Sequence, residues 1–238
     1  MPSRSHPRSR ARKPQRASRS VSGRRKSSRA PASDRASVAA AVAELIRALG
    51  LDPAIEPELL ETPARVADLY AEVFSGLDPG AVPEIATFPH VHKPGVPAGD
   101  ALVAVRDLPF YSLCAHHFVP FFGRAHIAYL PGERIIGISG AARLLEHYAR
   151  RPQLQERITT QIADHLERLL APRGVAVLLE ARHLCMEMRG VRKPGRIETR
   201  VVRGALSEPL WAGVLAEPCG RRVDDVERGA EPAEDGLE

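Results

Sequence analysis

Residues 112–117 of the chain read SLCAHH. They place a thiol, Cys114, and two imidazoles, His116 and His117, within four positions of a 238-residue chain that has only three cysteines. A second stretch, EARHLCMEMRG at 180–190, again carries a histidine and a cysteine, His183 and Cys185. Read as a strand, it sends both to one face, because side chains alternate with period two. A zinc ion takes three or four nitrogen and sulfur ligands, and a catalytic one keeps a position open for water. Cys114, one histidine of the 116/117 pair and Cys185 would supply three ligands. The other histidine and His183 would remain for proton transfer near neutral pH. The same residues also permit a cysteine nucleophile with a histidine base, or a small buried thiol beside hydrogen-bonded loop histidines. C-x-H-H is not a structural-zinc spacing, so spacing alone leaves all three open.

A third stretch, RRPQLQER at 150–157, puts Gln155 and Glu156 near a helix start. A carboxylate is favoured there and can also face a ligand; it can accept two hydrogen bonds from a guanine-like N–H edge. Arg143, Arg189, Arg192 and Lys193 are candidate phosphate contacts, although scattered arginines are equally the mark of a solvated surface.

The elements that must position these residues follow from periodicity. Val38, Val42, Leu45, Ile46 and Leu49 have helical spacing, and Gly50 ends the run. ETPARVADLYAEVFSGL predicts a second helix with Thr62 as N-cap, Pro63 in its first turn and Gly76 closing it. The proline-interrupted stretch 77–100 predicts a long irregular connection. From Ala101 the composition turns to β-branched and aromatic residues, predicting strands over ALVAVRDLPFYSL and FFGRAHIAYL with a Pro-Gly turn at 131–132. Two helices follow, the second opening at Pro152 and burying Leu154, Ile158, Ile162, Leu166 and Leu169. GVAVLLEARHLCMEM and RIETRVVRG then return to strand. Strands grouped in hairpins predict an α+β fold with an antiparallel sheet.

Composition sets the outer limits. The charge is unevenly placed: residues 1–35 hold twelve Lys/Arg against one acid, so the net +5 of the whole chain leaves the remainder at −6. That Ser/Arg/Pro-rich start has little to bury and predicts a disordered basic tail. It could tether the protein to an anionic surface or simply be solvated, so its partner stays open and nucleic acid is not expected. Residues 216–238 predict a flexible C-terminal tail. Three dispersed cysteines do not make a disulfide scaffold and fit a reducing compartment. No run approaches the roughly 18 apolar residues of a membrane helix, nor is there a secretory leader. The cytoplasm is the expected location, with no membrane partner.

Taken together, ETPARVADLY with FSGLDP, LPFYSLCAHHFVPFFGRAHIAYLP, IIGISGAARLLEHYARRPQLQERIT and GVAVLLEARHLCMEMRGVRK resemble the GTP cyclohydrolase I family of the tunnelling-fold (T-fold) superfamily, over residues 38–206. The resemblance implies a helical region over 36–100 and a catalytic domain over 101–210. In it an antiparallel sheet carries two helices, and the 36–100 region forms an N-terminal helical extension. It implies catalytic Zn2+ held by Cys114, His117 and Cys185, with His116 and His183 placing water and moving protons. Gln155 and Glu156 would read the guanine. Ser139, Arg143 and Arg189 would contact the triphosphate, together with Arg65 from a neighbouring subunit of a homodecamer. The implied reaction opens the imidazole ring of GTP, releases formate and yields 7,8-dihydroneopterin triphosphate, the first step toward tetrahydrofolate and related pterins.

The chain departs from the family pattern at the phosphate end. Gly140 stands where the family usually has lysine after Ser139, Asp68 stands where it often has a basic residue, and RKPGRIETRVVRG replaces a Ser/Thr-rich strand. Each lost charge-assisted contact is worth about 1.5–3 kcal/mol. The departures raise two alternatives: a guanine nucleotide with fewer phosphates as substrate, or a pterin- or nucleotide-binding regulator without turnover.

Overall fold

Asp34 stands just before the first helix. Its carboxylate accepts hydrogen bonds from the Ala36 and Ser37 backbone N–H groups and from the Ser37 hydroxyl at 2.6 Å. This caps helix α1 (Arg35–Ala48). Asp34 and Arg35, expected in the tail, therefore belong to the helix. The computed structural model describes residues 34–78, 80, 82–90, 101–206 and 211–212. The basic stretch 1–33, the 216–238 tail and Cys219 lie outside these. Gly50 follows α1 with φ +79°, as its stop position requires.

Helix α2 (Thr62–Val73) packs on α1. Its N-cap is Glu61, without a side-chain capping bond, and Thr62 is already helical. Pro63 thus sits one residue deeper than expected, which a first turn tolerates because its N–H groups have no helical partner. Gly76 then donates to the Arg150 carbonyl at 2.9 Å. A Cβ at Gly76 would stand 2.7 Å from that same oxygen, so this close approach requires glycine.

Strand β1 (Thr87–Pro89) lies in the stretch expected to be irregular and pairs antiparallel with β4 (Arg134–Ile136). Three residues, the last of them Pro89, leave little periodicity to read. The pairing ties the 36–100 region to the unit that follows it.

The main sheet has the order β5-β2-β3-β6-β7, β5 being the two-residue strand Pro152–Gln153. β2 (Val103–Cys114), β3 (Pro120–Leu130), β6 (Gly174–His183) and β7 (Arg196–Gly204) pair antiparallel. β2 carries an irregularity between Val105 and Leu108, where Asp107 has φ +55°. Helices α3 (Ile138–Ala149) and α4 (Gln155–Leu170) cover one face, burying Phe110, Phe121, Ile127, Leu144, Ile158 and Val177. On the other face Ala128, Leu130, Ala176, Leu178, Leu206 and Trp211 form a second cluster. β6 is buried on both sides over this length, so its sequence is continuously apolar. The molecule is α+β: an antiparallel sheet carrying two helices with a helical N-terminal extension, as expected.

Two expectations are corrected next to the suspected chemistry. Pro152 does not open α4. Pro152 and Gln153 form strand β5, parallel to the end of β2, with the Ala115 N–H donating to the Gln153 carbonyl at 2.9 Å. The strand predicted through residue 188 stops at His183, and Leu184–Glu187 form a single helical turn, α5. Among the described residues, no helix is long and apolar enough to cross a membrane.

Candidate metal centre

The ends of β2, β3 and β6 meet at one rim of the sheet. β2 ends at Cys114, whose N–H donates to the Val119 carbonyl at 3.0 Å. Its own carbonyl accepts from His117 N–H at 3.3 Å and Phe118 N–H at 2.9 Å. This tight turn returns the chain into β3, with Phe118 in the left-handed region at φ +53°. That conformation is costly for an aromatic residue. The Phe118 ring is held edge-on to Phe74 (5.4 Å) and Tyr70 (6.4 Å) of the N-terminal extension. The extension therefore braces the turn that presents His117.

On that turn the Cys114 Sγ lies 3.7 Å from His117 Nδ1. From the far side α5 brings in Cys185, and the donor atoms of Cys114, His117 and Cys185 lie within 4.8 Å of one another. Cys114 is buried and Cys185 half-buried. Burial first, and then the neighbouring Cys114 thiol, push the Cys185 thiol above its usual pKa. Without a cation that shift disfavours the Cys185 thiolate; a bound divalent ion would reverse the preference. Two sulfurs and one imidazole nitrogen, with no carboxylate among them, can hold a metal ion of the softer transition series. The correction to β6 matters here. His183 and Cys185 do not share a strand face; the turn after His183 swings the thiol round to Cys114.

His183 lies flat against the Phe121 ring, with centroids 4.6 Å apart and planes 9° apart. These residues are direct partners across β3 and β6. Its Nε2 lies 2.8 Å from Gln155 Oε1. The Gln155 amide nitrogen donates to the Leu179 carbonyl at 2.9 Å and to the Ile197 carbonyl at 2.8 Å. Its oxygen must therefore be the acceptor toward His183, and His183 carries its proton on Nε2. Burial lowers the His183 pKa, opposed by the Glu156 and Glu187 carboxylates. The neutral ring is left with the Nδ1 lone pair for proton exchange. Gln155 is fully buried, and its amide is committed to His183 and two carbonyls.

The remaining sequence candidates spread outward. His116 is exposed beside His117, their rings 6.1 Å apart and edge-on. Glu156 is exposed in the first turn of α4. The Arg189 guanidinium lies 3.0 Å from His117 Nε2. Ser139 is exposed at the start of α3, and Arg143 one turn on lines a cavity of about 370 Å³ with Ser75, Pro83, Glu146, His147 and Arg150. Arg65 is exposed on α2 and ion-pairs with Glu61. Gly140 is buried, and a Cβ there would stand 2.9 Å from the Ile85 side chain. Asp68 pairs with Arg35 at 3.0 Å. Phe121, Phe118 and the neighbours of Cys185 escaped the sequence reading; strand register would have exposed Phe121, which faces His183.

A family model for GTP cyclohydrolase I matches residues 38–210. GTP cyclohydrolase 1 of Streptococcus thermophilus is 52% identical over 171 residues, covering 71% of this chain and 87% of that protein. GTP cyclohydrolase 1 of Corynebacterium glutamicum is 53% identical over 170 residues, covering 69% and 82% respectively. Among solved structures, the archaeosine synthase QueF-Like in its apo form aligns with a TM-score of 0.37 and 15% identity, over 44% of this chain and 96% of that one. That likeness is too slight to carry an inference. The matched span includes every residue gathered at the rim of the sheet, and on it the chain belongs to the GTP cyclohydrolase I family.

Proposed function

We propose that the protein binds one zinc ion at Cys114, His117 and Cys185 and opens the imidazole ring of GTP, releasing formate and forming 7,8-dihydroneopterin triphosphate. The convergence of those three donors within 4.8 Å, with His183 seated on Phe121 two residues before Cys185, carries the reading. A bound zinc supplies water whose pKa is lowered toward neutrality. His183, held by Phe121 and Gln155, exchanges a proton at Nδ1 with a ring nitrogen of the purine as water adds to C8. His116 orients that water. Glu156 accepts from the N–H edge of the guanine, and Gln155 fixes the ring of His183 next to it. Ser139, Arg143 and Arg189 hold phosphates, with Arg65 contributed by a neighbour in a homodecamer, and the product enters cytoplasmic pterin or folate synthesis. Formate release and dihydropterin fluorescence from zinc-loaded protein and GTP test the reading. Both signals should vanish on Cys185→Ser with loss of zinc; turnover that survives removal of the metal would refute it.

A second reading concerns the phosphate end. Ile85 occupies the space over Gly140, and Asp68 adds a carboxylate that pairs with the exposed Arg35. Both features favour a guanine nucleotide with fewer phosphates. Comparable kcat/KM for GTP and GMP would support it, and a strong preference for GTP would sink it.

A further inference from the structure

The turn that carries Cys185 has little of its own to hold it in place. Helix α5 is four residues long and buries none of them. Its closing backbone bond is Met188 N–H to the Leu184 carbonyl at 2.9 Å. A single turn is unstable without side-chain support. That support comes from the strand before it. The Arg182 guanidinium donates from Nε to Glu187 Oε1 at 3.2 Å and from Nη2 to Glu187 Oε2 at 2.8 Å, a two-point pair closing across α5. Fork-to-fork pairing of this kind fixes direction as well as distance. Glu187 is the better buried partner, with 11% of its side chain exposed.

Arg182 is itself braced from the sheet. Its guanidinium carbon lies 5.9 Å from the centre of the Phe122 ring, and Phe122 stacks on Tyr111 at 5.6 Å. The three are direct partners across β2, β3 and β6. They occupy the face opposite Phe121 and His183, since successive residues of a strand alternate. His183 is thus seated on the helix-covered face while Arg182, one residue earlier, grips the following turn from behind.

We propose that Arg182 and Glu187 are positioning residues for the metal centre. Their bidentate pair, braced by Phe122 and Tyr111, holds the α5 turn so that the Cys185 sulfur stays aimed at Cys114 and His117. The proposal rests on the reading that this triad holds zinc. Supporting contacts outside the ligand set typically change metal affinity about 10- to 100-fold.

The test uses full-length zinc-loaded protein and a chromophoric chelator in excess, reading the rate of zinc release. A cobalt-substituted sample reads the thiolate-to-metal charge-transfer band. Arg182→Met and Glu187→Gln should each release zinc about tenfold faster or more, with a weakened cobalt–thiolate band, while remaining folded by circular dichroism. The reversed pair, Arg182→Glu with Glu187→Arg, should recover slow release. It also covers the case in which a single variant leaves a buried charge and folds poorly. Release at the wild-type rate from the single variants overturns the proposal, as does a folded reversed pair that loses zinc as fast as they do. Wild-type protein that binds no zinc, or a Cys185→Ser variant that binds it equally well, would instead overturn the zinc reading and the proposal with it. The two failures are therefore told apart by the unmutated and Cys185→Ser samples.

Discussion

Gln155 and Glu156 are neighbours in the sequence, yet one is fully buried and the other exposed. Residue type allowed both to face a ligand, and the difference became visible only once β6 and β7 were in place. Their carbonyls at Leu179 and Ile197 consume both amide protons of Gln155 and so orient its oxygen toward His183. Gln155→Leu removes the amide shared by two backbone carbonyls and the His183 imidazole N–H. We expect a stability loss of about 1–3 kcal/mol, read by urea unfolding. On the proposed reaction, formate release should fall about 100-fold through kcat, because His183 loses the amide that holds its ring. A fall confined to KM would instead assign Gln155 to substrate binding. The cysteines and histidines were legible as candidates from type and clustering, whereas the amide's commitment, set by contacts 24 and 42 positions away, was not.

At the scale of elements, the long strands and helices were readable because burial on one face leaves a period in the sequence. What escaped was short: β1, β5 and α5, with three, two and four residues, are too brief to show any period. Two of them touch the site directly. β5 ties the turn after Cys114 to the start of α4, and α5 delivers Cys185. The close approach of β3 and β6 depends on Gly123. A Cβ there would run into the Glu180 carbonyl oxygen and stand 2.7 Å from Ala181 Cα. Gly123→Ala should therefore cost about 3 kcal/mol or more, measured by thermal unfolding, and should raise zinc loss at the same time. A stable variant that retains its metal would show that the two strands can separate locally without disturbing the rim.

For the whole molecule, the charge asymmetry of the sequence falls largely outside the described residues, and two shielded histidines make stability depend on pH near neutrality. Burial lowers the pKa of His126, with Asp107 and Glu180 pulling it up and Arg106 and Arg124 reinforcing the fall. Burial also lowers that of His165, which meets the Tyr148 hydroxyl at 3.0 Å, with Arg168 adding to the shift. Both rings therefore take up a proton less readily in the fold than in the unfolded chain, where the ordinary value is 6.5. The unfolded state thus binds more protons, and stability rises with pH. The contribution is complete above pH 6.5 and is lost as pH falls from there toward the lowered folded values. The urea midpoint should drop between pH 7.5 and 5.5, and His126→Gln should flatten part of that drop. A pH-independent midpoint would contradict the assignment.

One register ties these scales together. Phe121 opposes His183 and Phe122 opposes Arg182 on the same two strands. Inserting or deleting a single residue in β6 would shift its reading frame against β3 and exchange the two faces at once. The imidazole would go to the outer side, the guanidinium would be driven toward the core, and the thiol turn would lose its anchor. The centre therefore cannot be transplanted as a set of ligands, nor repaired one residue at a time. It is inherited together with the alignment of two strands, so length changes are tolerable in the loops and prohibitive in these strands.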